Sequence, residues 1–364
     1  MSSQRNRTTT LLHGRHACTL GLAAFAALAC APASALTVAC INNSVQLRDA
    51  LTQSTSINDD VAIRLRSGFY TTSGNTFELY AEPGFTRSFT GGWNAGCTLQ
   101  TQSPTATVID GGNLNSVLRV NHVGTFTNGS STFIANLSIS GGGDGNGAQG
   151  GLVVSAENGT PTVLIERIVV RACTDNGVSI RNGTGANITL RNSLIADNLG
   201  NAAVAVISSV AAANTYLTNN TIVGNRSTTP TLAGGVSRIN STPLAGNIHL
   251  RNNAIIGNFA SDGSPLDVRF SVGNPSNHQL NNNAVQAFGD DNFTANNTVM
   301  TSTPGFLGSN NFALRATSPL RNAGSTLNVI VVGPQDFDFN SRVLEAAIDI
   351  GAYEYEGLFR SSFE

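Results

Sequence analysis

The residues whose types and spacing come closest to a chemical site lie near the C-terminal end of the chain. Asp336, Asp338 and Asn340 are spaced like the opening of a calcium loop, in which alternate side chains supply oxygen ligands. The sixth position of that loop is Ser341 rather than glycine, and the twelfth is Ala347 rather than glutamate. The spacing therefore favours turn contacts and ion pairs in this segment, with a looser calcium site as the alternative.

Cleavage of a polysaccharide would need acids or a strong base gathered on one surface. All 20 basic residues are arginine, which removes every mechanism that uses a lysine base or Schiff base. The acids of the central region do not share one register of the repeat described below: Glu166, Asp175, Asp197, Asp262 and Asp267. The sequence therefore predicts no catalytic residue. A polysaccharide lyase or glycoside hydrolase with an unrecognised site is the alternative.

Two arginines and three histidines are the remaining polar candidates. Arg191 and Arg251 occupy the same outward position of the repeat, where they form either a solvated face or a face that contacts a polyanionic glycan. His122, His249 and His278 are isolated from one another in the sequence, which indicates surface or packing roles rather than a triad or a metal cluster. A solvated face is the first interpretation, and Arg191 and Arg251 are the candidate residues for the alternative, a glycan-contact face.

The elements that must position these side chains are repeats. The pattern N-x-x-L-x-N-x-x-I-x-x-N occurs at 187–198, 214–225 and 247–258, and its apolar positions recur from residue 131 onward. Its sixth position recurs at intervals of 25 to 33 residues and is occupied by Asn136, Arg167, Asn192, Asn219, Asn252 and Asn282. Short alternating apolar runs indicate strands, and a period of about 20–50 residues indicates a solenoid. The sequence predicts an all-β, parallel β-helix of roughly eight to ten coils.

The recurring asparagines have a structural interpretation that needs no ligand. Asparagine tolerates the left-handed backbone conformation that tight corners use. Stacked coils place identical side chains about 4.8 Å apart, so amides can hydrogen-bond in ladders along the axis. We therefore expect corners and ladders at these positions, with sugar binding by the outward asparagines as the alternative.

The N-terminal residues carry segments of a different kind. Residues 1–35 combine a basic start, an apolar core and the small residues Ala33 to Ala35, the pattern of a signal peptide. Cleavage would start the mature chain at Leu36, and lipidation at Cys30 is the alternative. Residues 36–60 are predicted as a cap whose short helix, with Ser44 at its N-cap, covers the open end of the coils. The coils then occupy 61–317.

Composition and cysteines agree with an exported globular chain. Its 364 residues are 40% hydrophobic and 12% charged with a net charge of −2, which excludes a disordered chain and a nucleic-acid-binding protein. Export permits disulfides, and we pair Cys40 with Cys97 because both lie in the irregular N-terminal region. Cys173 is then predicted to be a buried, inert thiol.

Several segments resemble a known class of protein. "IRLRSGFY", "GGWNAGC" and "TVIDGGN", together with the coils, resemble secreted bacterial right-handed parallel β-helix proteins. "SPLRNAG", "DFDFNSR" and "IDIGAYE", within 318–356, resemble the choice-of-anchor Q domain. This resemblance implies export and a C-terminal closing segment, and it implies no reaction. The tail Gly357–Glu364 is similar to the F-x-x-G-F-E endings of some exported Gram-negative proteins, with Ser362 in place of the glycine.

Together these features predict a non-catalytic β-helix protein that is secreted or held at the cell surface of a Gram-negative envelope. Its expected role is structural, adhesive or glycan-contacting, and its expected partner is a polysaccharide or a cell-surface glycan. No nucleic-acid partner, no transmembrane segment in the mature chain and no cofactor other than the alternative calcium are expected.

Overall fold

The computed structural model describes residues 36–122, 129–143, 150–157, 159–239, 246–270, 277–289, 293–326 and 332–357. The predicted signal peptide and Cys30 lie outside these ranges, as does the tail after Gly357. Over the described residues, the structure contains no helix with the length and hydrophobicity that a bilayer crossing demands.

The described chain consists mainly of short strands. One α-helix, α1 (Ser44–Ser54), and one 3-10 turn, Pro104–Ala106, accompany them. The strands in chain order are β1 (Thr37–Ile41), β2 (Val61–Arg66), β3 (Gly68–Thr71), β4 (Phe77–Ala81), β5 (Thr86–Trp93), β6 (Thr107–Asp110), β7 (Leu118–His122), β8 (Ser131–Ser140), β9 (Gly150–Ala156), β10 (Thr162–Arg171), β11 (Asn176–Asn182), β12 (Asn187–Arg191), β13 (Leu194–Ala196), β14 (Leu199–Gly200), β15 (Val204–Ser208), β16 (Asn214–Thr218), β17 (Thr221–Val223), β18 (Arg226–Ser227), β19 (Val236–Arg238), β20 (Asn247–Arg251), β21 (Ala254–Ile256), β22 (Val268–Phe270), β23 (His278–Asn281), β24 (Ala284–Val285), β25 (Thr294–Asn296) and β26 (Val299–Met300).

These strands stack in parallel, coil upon coil, into sheets of 17, seven and two strands. In the central coils, positions 1–5 of the repeat form one strand of the large sheet and positions 8–10 form a second. In the longest column of the described chain, ten strands stack from β1 to β25. Crossovers between parallel strands are right-handed by strong preference. The predicted right-handed parallel β-helix is confirmed.

Equal positions of the repeat lie directly above one another, so each position defines a row along the axis. Rows four and nine point inward and, as far as Leu280 and Val285, are fully buried with mostly β-branched and leucine side chains, which close-pack between coils. Row four contains Phe89, Ile134, Ile165, Leu190, Leu217, Leu250 and Leu280. The core is therefore one continuous apolar column.

Each coil turns a corner at the sixth position, as the sequence predicts. Every described residue of row six has a positive φ: Asn136, Arg167, Asn192, Asn219, Asn252, Asn282 and Asn297, between 49° and 57°. A second corner falls at the eleventh position, where Asp197, Gly224 and Gly257 also have positive φ. Asparagine, aspartate and glycine adopt this region at least cost. Arg167 is the exception in row six.

Amide ladders connect the coils, which confirms the prediction of ladders. In row twelve, Asn198 Nδ2 donates to Asn225 Oδ1 at 2.8 Å, and Asn225 Nδ2 donates to Asn258 Oδ1 at 2.9 Å. This ladder ends at Asp267, nine residues after Asn258, which accepts from Asn258 Nδ2 at 2.9 Å. The last side chain of such a ladder needs only to accept a hydrogen bond, and the carboxylate of Asp267 does so.

A second buried ladder occupies row seven, which the repeat pattern does not mark. Asn220 Nδ2 donates to Asn253 Oδ1 at 3.0 Å, and Asn253 Nδ2 donates to Asn283 Oδ1 at 2.9 Å. A partly exposed ladder runs along row one, where Asn247 Nδ2 donates to Asn214 Oδ1 at 2.9 Å. The asparagines thus satisfy buried backbone and side-chain groups at the corners, where strand pairing is interrupted.

The N-terminal cap differs from its prediction in two details. The first strand of the coil stack is β1, inside the predicted cap, because Thr37 pairs with Val61 of β2. Asn43 rather than Ser44 is the N-cap of α1, since its side chain accepts from Gln46 N at 2.9 Å. The predicted disulfide joins Cys40 of β1 to Cys97.

The C-terminal segment, residues 318–326 and 332–356, closes the side of the solenoid rather than its last coil. We call it the clasp. Phe337 packs on Val169 of β10, in an earlier coil. Leu320 and Ile350 cover Ala254 of a later coil. The clasp therefore runs back along the outside of the large sheet.

Row six holds the clasp through its side-chain amides. Asn192 Nδ2 donates to Gln335 O at 2.8 Å, Asn219 Nδ2 to Asp349 O at 3.2 Å, and Asn252 Nδ2 to Ser325 O at 3.0 Å. Each asparagine therefore turns a corner with its backbone and binds the clasp with its side chain.

Substitution of Asn219 separates these two roles. Glycine at 219 keeps the left-handed corner and loses the amide, so we expect Asn219→Gly to lower the free energy of unfolding by about 1–2 kcal/mol. Asn219→Ala should cost about 1 kcal/mol more than Asn219→Gly, because alanine, unlike glycine, carries a Cβ that is unfavourable in the left-handed region and lacks the asparagine side chain that tolerates it. Urea unfolding measures both. A glycine variant as stable as the unmodified protein would show that the side chain serves the corner alone.

Candidate functional site

Rows one, three and five are the outward rows of the large sheet, and they form the candidate site. Row one contains the amide ladder at Asn187, Asn214 and Asn247. Row three contains mixed polar and aromatic side chains, and row five contains the predicted arginines. These rows run parallel to the axis on one face, so a long ligand could contact several coils.

Row five is not the solvated stripe that the sequence suggests. Its members Ala135, Glu166 and Thr218 are buried, between 1% and 4% exposed. Arg191 is mostly covered and pairs with Glu166, with Nη2 and Oε2 2.6 Å apart. Gly333 of the clasp lies directly over the Arg191 guanidinium. Arg191 therefore belongs to the contact between coils and clasp rather than to an open face.

Arg251 lies in a different environment from Arg191. It lines an open pocket of about 470 Å³ between the last coils and the clasp, which we call the Arg251 pocket. The other lining residues are Asn281, Asn282, Asn297, Gly324, Ser325, Thr326 and Ala347. Of the two arginines predicted to contact a glycan, the structure thus places only Arg251 in an open polar pocket.

Row three passes beside this pocket and carries an aromatic pair. Tyr216 and His249 stack on successive coils, with ring centroids 4.9 Å apart and planes 12° apart. Gln279 follows His249 in the same row. Burial lowers the pKa of His249, against the opposing hydrogen bond from Gln279, so the imidazole is neutral at neutral pH. A neutral ring both donates and accepts hydrogen bonds, which suits sugar hydroxyls.

The predicted calcium candidates form a hydrogen-bonded turn in the clasp. Asp336 Oδ1 accepts from Asn340 N at 2.8 Å, and Asp336 Oδ2 accepts from Glu354 N at 3.0 Å. The Asn340 amide donates to Glu356. Within the described ranges, no three His, Cys, Asp or Glu side chains lie close enough together to hold a metal ion. Calcium at Asp336, Asp338 and Asn340 stays a prediction.

A buried ion pair fixes the clasp to the coils. Arg342 Nη1 lies 2.7 Å from Glu354 Oε1, and both side chains are 2% exposed. Arg342 Nη2 also donates to Asn192 Oδ1 at 2.8 Å and to Gly351 O at 2.7 Å. One guanidinium therefore joins row six of the coils to two segments of the clasp.

Three buried acids, Glu354, Asp336 and Asp349, surround the single arginine Arg342. The stability of the clasp should therefore depend on pH. Burial raises the pKa of Glu354 to about 8, and burial also raises the pKa values of Asp336 and Asp349. A carboxyl whose pKa is higher folded than unfolded stabilises the fold fully below its unfolded value, and that stability is lost as pH rises through the folded value.

We expect the clasp to weaken between about pH 4.5 and 8, the window set by the ordinary and raised pKa values of Glu354. Hydrogen exchange of residues 332–356, corrected for the intrinsic rate at each pH, measures this. Glu354→Gln removes the Glu354 contribution and should reduce the dependence to that of Asp336 and Asp349. A clasp whose protection rises over this window would contradict the expectation.

The remaining polar candidates pack inside the fold. His122 is buried against Ser130 and Thr132, and desolvation lowers its pKa to about 4. His278 is buried beside Phe270 in the core. Cys173 is buried at the start of row twelve, and desolvation raises its thiol pKa to about 12. His122, His278 and Cys173 are thus buried side chains, which agrees with packing roles, and the inertness of the Cys173 thiol stays a prediction.

A second pocket, of about 290 Å³, lies where the clasp meets residues 307–316. Its wall is more apolar, with Leu307, Leu314 and Tyr355, and it also contains Glu354 and Glu356. Glu354 is bonded to Arg342, and Glu356 accepts from the Asn340 amide. These acids serve the clasp, so this pocket is a poorer candidate than the Arg251 pocket.

Comparison with known proteins adds an architectural likeness. No protein-family model matches this chain, and no curated protein matches it. One similar solved structure is the crystal structure of pectate lyase Pel9A, with 14% sequence identity and a TM-score of 0.41, over 84% of this chain and 90% of that one. The assignment as a right-handed parallel β-helix rests on the strand pairing itself.

Proposed function

We propose that this chain is an exported, non-catalytic β-helix protein that contacts a polysaccharide or a cell-surface glycan. The observation that carries the proposal is the Arg251 pocket beside the stacked Tyr216 and His249 on one long face. Sugar-binding sites need a few convergent polar groups next to aromatic surface, and this face supplies both.

The environment of the carboxylates supports a binding role rather than catalysis. Glu166 pairs with Arg167 and Arg191, while Glu354 pairs with Arg342. Acids that are buried and paired in this way are held by their arginine partners and are poorly placed to act on a substrate. We also propose that the clasp is a segment of the choice-of-anchor Q type and that the protein works outside the cell, in keeping with its disulfide.

Binding to a panel of acidic and neutral polysaccharides, measured by calorimetry on purified protein, tests the proposal. We expect Tyr216→Ala to weaken binding by about tenfold, since a buried aromatic contact is worth roughly 1–1.5 kcal/mol. Tyr80→Ala is the matched control, because Tyr80 is a partly buried tyrosine on the second sheet. Equal effects of the two variants would refute this face as the site.

The same incubations test for turnover. New reducing ends or unsaturated uronate products, absent from a heat-inactivated sample, would overturn the non-catalytic part of the proposal. Binding without products would support it. Neither binding nor products across the panel would sink the glycan-contact role as a whole.

A further inference from the structure

We infer that the C-terminal end of the coil stack binds a second copy of this chain, so that two molecules join end to end about a twofold axis. We call this surface the end face, and it consists of Phe288, Phe293, Ala295 and Met300 in the last described coil. The inference stands apart from the proposed glycan contact. Exposed inward rows, an open strand edge and a polar cap at the opposite end of the stack support it.

The inward rows lose their cover in the last described coil. Row four is buried as far as Leu280, but its next member, Ala295 of β25, is exposed. Row nine is buried as far as Val285, and its next member, Met300 of β26, is 58% exposed. These two positions lie inside the core in the preceding coils. The core column is therefore open at this end of the described chain.

Two aromatic rings close only part of the opening. Phe293 packs edge-on against Phe270 of β22, with ring centroids 6.0 Å apart, and Phe288 lies 4.9 Å from Phe293. Both Phe288 and Phe293 keep partly exposed surface. The chain then leaves to the side, since Val299 and Phe306 pack on the apolar cluster beneath the clasp. Contiguous apolar surface of this kind is typical of an interaction site.

The last strand of the long column also presents backbone groups at this end. Asn296 O accepts from Asn282 N at 3.0 Å, so the backbone of Asn296 faces the previous coil. Successive residues of a parallel strand direct their N–H and C=O groups to opposite sides, so those of Ala295 face away from that coil. Within the described chain, β25 pairs only with β23. An edge of this kind is a template for another strand.

The edge of β25 is complementary to itself. In an antiparallel pair, two residues directly opposite each other can exchange both N–H···O bonds. A twofold axis at Ala295 places this residue opposite its own copy, where the two satisfy each other's N–H and C=O. The same contact then covers the end face of both copies, which closes the assembly as a dimer. No residue from 293 to 314 is charged, so this segment does not repel its copy.

The opposite end of the stack is a poor partner for the end face. There α1 covers the core with its buried side chains Leu47 and Leu51. Its exposed face includes Gln46, Asp49 and Gln53. A head-to-tail contact would bury these polar groups against apolar side chains, and buried polar groups without partners are costly. The two ends therefore favour a closed pair over an open filament.

The size of the end face sets the strength of the association. Sheets about 10 Å apart and strands of roughly 17 Å enclose a cross-section of a few hundred Å² on each copy. Interfaces below about 1,200 Å² of total buried surface belong to weak or transient complexes. We therefore expect a dimer that forms at about micromolar concentration or above and dissociates on dilution.

Sedimentation equilibrium of the purified protein, from about 1 μM to about 1 mM, tests the inference. Asp290 and Asp291 precede Phe293 in the sequence and lie outside the described residues. The measurement is therefore made at about 0.15 M salt, where charges more than about 8 Å apart are largely screened. We expect the average mass to rise with concentration to twice that of the monomer and no further.

Two variants change the end face and leave the packing beneath it. Met300→Asp places a charge on an exposed side chain, and Ala295→Pro removes the N–H that enters the strand pair. Proline is tolerated on an edge strand where the N–H faces outward. Each variant should lower the association constant at least tenfold. Thermal unfolding of each variant shows that the fold is retained.

Val45→Asp is the matched control, because Val45 is 70% exposed on α1 at the opposite end of the stack. It should dimerise like the unmodified protein. A protein that stays monomeric at the highest concentration would overturn the inference. Dimerisation that Met300→Asp or Ala295→Pro leaves intact would also overturn it. Association that continues beyond the dimer and is weakened by Val45→Asp would replace the twofold contact by head-to-tail stacking.

Discussion

Replacement of Arg342 by alanine should release the clasp and lower the free energy of unfolding by about 3–5 kcal/mol. The guanidinium is buried and bonds Glu354, Asn192 Oδ1 and Gly351 O at once. Its removal leaves the buried carboxyl group of Glu354 and the buried oxygens of Asn192 and Gly351 without this donor, and each loss is costly inside a protein. Denaturant unfolding measures the stability, and limited proteolysis locates the opening.

The matched control for this prediction is an arginine paired at the surface. Arg119 lies 3.3 Å from Glu78 with both side chains about one-third exposed, so Arg119→Ala should cost no more than about 1 kcal/mol. Cleavage of Arg342→Ala should begin within residues 332–356, where the clasp is freed. Similar stability losses in the two variants would show that Arg342 is not the fastening of the clasp.

Asn225→Asp should destabilise the protein by about 4 kcal/mol or more, although the two side chains have the same shape. Asn225 Nδ2 donates to Ile195 O at 3.0 Å and to Asn258 Oδ1 at 2.9 Å in the interior. Aspartate replaces these donors by an oxygen that faces other oxygens, and it buries a negative charge. Denaturant unfolding at neutral pH measures the loss.

Asn214→Asp tests the same chemical change at the surface. Asn214 belongs to the ladder of row one and is partly exposed, so water can hydrate a new carboxylate there. Its cost should stay within about 1 kcal/mol. If the buried and exposed substitutions cost the same, the row-twelve ladder would have no special role in stability.

Local pattern was enough to predict the coils and their corners. The sixth position of the repeat marks residues with left-handed backbones from Asn136 onward, because asparagine is one of the few residues that adopts this conformation at low cost. Alternating β-branched residues likewise indicated the inward rows. The seventh position gives no such signal. It is asparagine at Asn220, Asn253 and Asn283 but Ser193 and Ile168 in the upstream coils, so the pattern does not predict the ladder of row seven.

The site was predicted only in part, for a reason of distance. Arg191 and Arg251 occupy the same repeat position, and the sequence distinguishes them only by the row-five neighbour Glu166, which pairs with Arg191. The cover over Arg191 comes from the clasp, whose contact between Asn192 and Arg342 spans 150 residues. Pairings of that separation leave no periodic signal. The one sequence feature that points to the clasp is the use of asparagine rather than glycine at row six. Glycine would form the left-handed corner equally well, so the recurring amide implies a further contact.

The clasp also changes the mechanical character of the molecule. A solenoid without one is held by contacts between neighbouring coils, so tension on its ends peels the coils away singly. Here one segment crosses several coils, from Val169 to Asn282, and fastens them in parallel. Tension must then shear many bonds together before any clasped coil can unravel. The clasp should therefore raise the force needed to unfold the clasped coils above the force that would separate coils held only by their neighbours.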